Sequence, residues 1–140
     1  MRLYAESSAV LAWLFGEAGG EGVRRLLAGA KEVFTSVLTL VEIDRVLIRA
    51  QVAEGLPEGD VVDRRRVLTR ASRRWHLLQL HEEILDRARR PFPGEPIRIL
   101  DALHVASALA ARSAVLELAV LSLDGRIRKT TVELGFEVLP

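Results

Sequence analysis

Leu118-Ala119-Val120-Leu121-Ser122-Leu123 runs directly into Asp124-Gly125. A nearly continuous apolar run closed by an acid and a glycine reads as a strand buried on both faces. Strands of that kind belong to parallel sheets, because antiparallel strands with one wet face alternate apolar and polar residues. A short helix follows, and Gly135 leads into a last strand, Phe136 to Leu139. On the N-terminal side, Leu100 to about Arg112 reads as an apolar helix with Asp101 in its first turn. A rigid loop with Pro91, Pro93, Gly94 and Pro96 precedes it.

The same alternation extends back to the start of the chain. Leu3-Tyr4-Ala5 is a short strand ending at Glu6, and Ser7 or Ser8 is the expected cap of the helix that carries Val10, Leu11 and Leu14. Gly16 and the Gly19-Gly20 pair stop that helix. A second helical stripe has Val23, Leu26 and Leu27 and ends near Gly29, and Val33-Phe34-Thr35 is the second strand. Ser36 caps a third helix whose apolar residues Val37, Leu40, Val41, Val46 and Leu47 recur at helical spacing, with Glu42 near its second turn. Gly55, Pro57 and Gly59 form a loop, Asp60 to about Arg74 a basic amphipathic helix, Leu77 to Leu80 a strand, and Glu82 to Arg90 a helix. Strands alternating with helices predict an α/β fold with a parallel sheet.

The chain has 140 residues, enough for one domain, taken as 1–140. With 49% hydrophobic and 28% charged residues it is an ordinary foldable chain. The absence of cysteine excludes disulfides, thiolate metal sites and cysteine nucleophiles. The opening MRLYAESS has no basic segment followed by a long apolar run, and every apolar stretch is broken short of a membrane span; a cytoplasmic location away from membranes is the expectation. The net charge of +1 gives no bulk attraction to nucleic acid. Arginines do gather at Arg64, Arg65, Arg66, Arg70, Arg73 and Arg74, which reads first as a solvated helix face and second as a phosphate-binding patch.

Four carboxylates stand at strand ends and helix starts. Glu6 and Asp124 each follow an apolar strand, where open parallel sheets form their sites. Glu42 and Asp101 lie in early turns of otherwise apolar helices. Singly, each has a bland explanation in the helix dipole. Together, clustered carboxylates repel one another, and a divalent cation removes the conflict. Hard oxygen ligands without cysteine point to Mg²⁺ or Mn²⁺. Such a site suits phosphodiester hydrolysis, because the metal acidifies a water and stabilises transition-state charge.

The motifs are more specific than the chemistry. Leu3-Tyr4, the acid Glu6 and Ser7-Ser8-Ala9-Val10-Leu11, then Ser36-x-x-Thr39-x-x-Glu42, then Leu100-Asp101-Ala102-Leu103-His104-Val105-Ala106-Ser107-Ala108, then Val120-Leu121-Ser122-Leu123-Asp124 resemble, in order, the four motifs of the PIN-domain family. The short length is similar to VapC-type toxins of VapBC toxin–antitoxin pairs. The resemblance implies a three-layer α/β/α sandwich around a parallel sheet. It implies a Mg²⁺-dependent endoribonuclease with Glu6, Glu42, Asp101 and Asp124 as catalytic and metal-binding acids. Ser122 and Ser8 would be supporting hydroxyls behind them. It also implies RNA as substrate, a homodimer and a VapB-like antitoxin partner. One position departs from the pattern: the first acid is normally Asp and here is Glu6, about an ångström longer in reach. The alternative is therefore a non-catalytic binding module with a degraded metal site. A phospho-acceptor signalling domain fits poorly, since it would need paired acids after the first strand.

The remaining candidates read as structural. His104 sits in an apolar helix and is expected to be a satisfied core histidine, with orienting an acid or touching RNA as the functional reading. His76 and His81 lack ligand spacing. Trp13 and Trp75 suit core or dimer packing better than base stacking, and Tyr4 suits the core. Asp44 points away from Glu42 on its helix, and Glu17 is expected to be exposed.

Overall fold

The computed structural model describes residues 1–140. Its elements are β1 (Arg2–Ala5), α1 (Ser7–Phe15), α2 (Gly20–Gly29), β2 (Glu32–Ser36), α3 (Val37–Ala53) and α4 (Glu58–Ser72), followed by β3 (His76–Leu78), α5 (Glu82–Ala88), α6 (Ile99–Ala114), β4 (Leu118–Leu121), α7 (Gly125–Glu133) and β5 (Val138–Leu139). The five strands form one sheet in the order β3-β2-β1-β4-β5. Every pairing is parallel, with Tyr4 beside Phe34 on one side and Val120 on the other. The expected buried strand at Leu118 is a central one.

Period-two alternation along the strands sends side chains to two helical layers. Tyr4, Phe34 and Val120 face one layer, where Ala102, Val105, Ala106 and Ile127 of α6 and α7 pack with Ile84 of α5. Leu3, Ala5, Val33, Ala119 and Leu121 face the other, against α1 to α4. The result is a three-layer α/β/α sandwich.

Element ends differ from the sequence reading for local reasons. α1 is capped by Glu6, whose side chain accepts the Ser8 N–H; Ser7 and Ser8 are its first two residues, not its cap. α4 begins at Glu58, so Gly59 lies within it and only Gly55 and Pro57 remain in the connection. β4 is assigned only to Leu121, although the Ser122 N–H still donates to the Leu139 carbonyl at 3.0 Å, and the last strand is reduced to Val138–Leu139. Ser36 caps α3 as expected, accepting from the Leu38 N–H at 3.1 Å.

One glycine sets how closely α1 and α2 approach. A Cβ on Gly20 would lie 2.3 Å from the carbonyl oxygen of Ala12, a position no real Cβ occupies. The contact fixes α1, and with it the Glu6-Ser7-Ser8 turn that opens the helix.

The strand order reverses between β1 and β4: the chain builds outward from β1 to β2 and β3, then returns to the other side of β1. The carboxyl ends of β1 and β4 therefore flank the topological switch point, the general location of sites in open α/β sheets.

Candidate active site

Glu6 is the first residue past β1 and continues the sheet, its N–H donating to the Leu121 carbonyl at 3.0 Å. Its side chain is 4% exposed. A carboxylate so buried requires donors, and four are supplied. Oε1 accepts from the Ser7 hydroxyl at 2.7 Å and the Ser8 N–H at 3.1 Å. Oε2 accepts from the Ser8 hydroxyl and from Ser122 Oγ at 2.7 Å. Two carboxylate oxygens offer about four lone-pair sites, so all are used. Ser8 Oγ in turn accepts from the N–H groups of Leu123 (2.9 Å) and Asp124 (3.1 Å), tying the end of β1 to the turn after β4.

Glu42 projects from α3 toward the same turn. The Ser7 hydroxyl also lies 3.1 Å from its Oε2, so one serine bridges two acids. Its Oε1 accepts from His104 Nε2 at 2.5 Å. The His104 ring is 2% exposed, and its Nδ1 is 3.0 Å from the Tyr4 hydroxyl. Burial, reinforced by the negative charges of Glu6 and Glu42, drives the Tyr4 phenol well above its ordinary ionisation range, so it stays a neutral hydroxyl. His104 is thus satisfied in the core, as expected of a structural histidine, and it also orients a site acid. Ser7 is a functional candidate the sequence reading missed. Its position one residue after Glu6 on a helix start was the available signal.

Asp101 is in the first turn of α6. Its Oδ2 is buried without a hydrogen-bond partner, and the nearest cation, Arg98 Nε, is 3.9 Å away. Burial, then the charge of Asp124, raises its pKa; Arg98 opposes the shift and Glu6 adds to it. Asp124 caps α7, its Oδ1 accepting from the N–H groups of Arg126 (2.9 Å) and Ile127 (3.1 Å).

Glu6, Glu42, Asp101 and Asp124, although spread over the whole chain, line one open cleft of about 670 Å³ at the carboxyl edge of the sheet. Ser8 lines it too, and Ser122 supports Glu6 from behind. No three carboxylate or imidazole groups stand close enough to make a ready-formed cation cage. The donor set nonetheless suits a hard divalent cation: all oxygen, anionic, with an orphaned Asp101 oxygen held against two other negative charges.

The other candidates fall outside the cleft. Asp44 pairs with Arg65 at 3.2 Å, and Glu17 is exposed. His76 stacks on Phe34 with ring centroids 4.6 Å apart. Trp13 and Trp75 pack against the core cluster under α3 and α4. Half of the arginine cluster is engaged within the molecule: Arg64 lies over the Phe15 ring, Arg65 pairs with Asp44, and Arg66 pairs with Asp63.

An α/β/α sandwich with an acid-lined cleft at its switch point defines a class of small proteins whose site lies at the carboxyl edge of a parallel sheet. Within that class the chain belongs to the PIN domain family, whose profile matches residues 3–133. Solved structures agree on the fold. FitAcB from Neisseria gonorrhoeae superposes with a TM-score of 0.70 at 17% identity, covering 100% of this chain and 97% of that one. VapC20 from Mycobacterium tuberculosis, described as a Sarcin-Ricin loop cleaving toxin, gives 0.64 at 20% identity and 99% coverage of both chains. VapBC2 from Rickettsia felis bound to a promoter DNA fragment gives 0.64 at 9% identity, covering 99% of this chain and 98% of that one. No curated protein sequence matches. No helix of the structure is long and apolar enough to cross a membrane.

Proposed function

We propose that the chain is a metal-dependent endoribonuclease acting as the toxin of a toxin–antitoxin pair. The observation that carries this reading is that Asp101, one of whose oxygens is buried without a partner, lines a cleft with three further acids. Family membership and the toxin folds it resembles support it. Asp101, Asp124 and Glu42 would hold Mg²⁺ or Mn²⁺, and Glu6 would join them by exchanging one of its serine donors for the cation. When bound, the cation supplies an acidified water and stabilises charge on the phosphoryl oxygens.

The chain's own residues divide the remaining work. Asp101 offers the free oxygen, and Asp124 keeps its second oxygen clear of the α7 cap. His104 and Tyr4 fix Glu42 from inside the core. Ser7, Ser8 and Ser122 hold Glu6 and join it to Glu42 and to the Asp124 turn. Acids positioned this way spend little reorganisation at the moment of reaction.

A second reading is favoured by one specific observation. All four lone-pair sites of Glu6 are taken by protein donors, as in a site that has become structural. In that case the chain is a PIN-fold binding module. Single-stranded RNA incubated with Mn²⁺ separates the two: cleavage that chelator stops supports the nuclease, and RNA left intact supports the module.

A homodimer and a VapB-like antitoxin complete the proposal. Ile99 and Leu100 are exposed and line the cleft beside Asp101, giving the acids an apolar rim suited to a covering peptide. An arginine from that peptide would meet the carboxylates in bidentate fashion. Co-purification with the product of an adjacent short reading frame tests this; a chain that purifies alone and is harmless on expression contradicts it.

A further inference from the structure

Asp101 and Ile97 also line a second, smaller cavity of about 210 Å³ that Glu42 does not reach. The two cavities share those residues and so adjoin at Asp101 as two parts of one trench. Its charge reverses along its length. The larger part carries four acids and Arg98, and the smaller part carries Arg126 and Lys129 of α7 with the buried residue Thr130. Neither Arg126 nor Lys129 is paired with a carboxylate. The cation between them in sequence behaves differently: Arg128 is held by the carbonyls of Ser122 (2.8 Å) and Pro140 (3.1 Å).

We infer that the α7 cavity is a phosphodiester-binding subsite that seats the RNA backbone next to the acid cleft. The inference rests on the ribonuclease reading and adds where the substrate runs. An acid cleft repels a polyanion everywhere except at its bound cation, so the strand needs cationic footing close by. Arg126 and Lys129 stand one helical turn apart on one face of α7, and both line the trench. The volume is below the roughly 300–1,000 Å³ of pockets that enclose a whole drug-sized ligand. It suits one phosphate with part of its sugar, and no base pocket is needed. Phosphate contacts of this kind fix register without reading sequence. The chain has only two lysines, and Lys129 is one of them.

The test is binding of a fluorescein-labelled single-stranded RNA oligonucleotide, followed by anisotropy in EDTA so that no cleavage occurs, across a salt series. Wild-type protein is compared with Arg126→Gln/Lys129→Gln and with Arg66→Gln/Arg70→Gln on α4. The expected result is several-fold weaker binding for the α7 variant, and a log K against log salt slope less negative by about 0.7 for the lost phosphate contact. The α4 variant should match wild type, and all three proteins should keep the same Tm. Wild-type binding and slope retained in the α7 variant, or a loss confined to the α4 variant, overturns the subsite while leaving the nuclease reading standing. Wild-type protein that binds no RNA in EDTA overturns the subsite, and if it also fails to cleave RNA with Mn²⁺ both readings fall.

Discussion

Shortening Glu6 to Asp tests whether the site is built around the longer acid. The substitution withdraws the carboxylate by about an ångström, on the scale of one C–C bond. The Ser7 and Ser122 hydroxyls now sit 2.7 Å from it. At roughly 4 Å they would be outside hydrogen-bonding range. The bond to the Ser8 N–H survives, because Asp is a good helix N-cap. Losing these two hydrogen bonds to a charged group, at about 1.5–3 kcal/mol each, puts the cost near 3–6 kcal/mol. For a chain of this length that lowers Tm by about 10–20 °C. Ser122 and Ser8 also receive the Asp124 N–H, so the disturbance reaches a second acid and activity should fall. Glu6→Gln keeps the reach and removes the charge; it should leave stability closer to wild type and still abolish metal-dependent cleavage. Thermal unfolding and RNase rates on both variants provide the measurement. Glu6→Asp with an unchanged Tm and wild-type or higher activity would refute the reasoning, and would make Glu6 a ligand held slightly out of place.

Other outcomes follow from the same geometry. The raised pKa of Asp101 means that folding disfavours its charged form, so its contribution to stability is most favourable at low pH and declines as pH rises through the folded value. Asp101→Asn should therefore raise the Tm of metal-free protein at neutral pH and flatten that decline while abolishing cleavage; a lower Tm would contradict the assignment. Mn²⁺ at 100 times its Kd should stabilise the wild-type protein by about 2.7 kcal/mol, with little effect on Asp101→Asn, as read by thermal shift. His104→Leu removes the Nε2 donor to Glu42 and the partner of the Tyr4 hydroxyl, at about 3 kcal/mol together, and should weaken Mn²⁺ binding in calorimetry. Gly20→Ala forces α1 and α2 apart and should cost about 1–3 kcal/mol in denaturant unfolding with cleavage chemistry unaltered per folded molecule.

The fold was legible because its strongest signals are local. The apolar run at Leu118, the Ser36 cap and the alternation of strands with helices each report on a few neighbouring residues, and parallel pairing follows from them. The same patterning placed all four acids at strand ends and helix starts, which is why they meet in one cleft. What escaped is what depends on contacts between distant segments. That Glu6 rather than Ser7 or Ser8 caps α1 depends on Ser122, 116 residues away, holding the Glu6 carboxylate in place. That His104 is both buried and tied to Glu42 depends on one side-chain bond between α6 and α3, which lie in different layers of the sandwich. A histidine in an apolar helix carries no local mark of its partner. The reversal of charge over Asp101 is equally invisible in sequence, since Arg126 and Lys129 look like an ordinary solvated helix face.

The carboxylate cleft is proposed to cleave RNA with a bound divalent cation. The most direct test is a single-stranded RNA cleavage assay with Mg²⁺ or Mn²⁺, with and without chelator, run side by side on wild-type protein and Asp101→Asn purified identically. Metal-dependent cleavage by wild type that chelator stops and Asp101→Asn lacks is the result the structure predicts. Equal rates for the two proteins, or cleavage that survives the chelator, would contradict it.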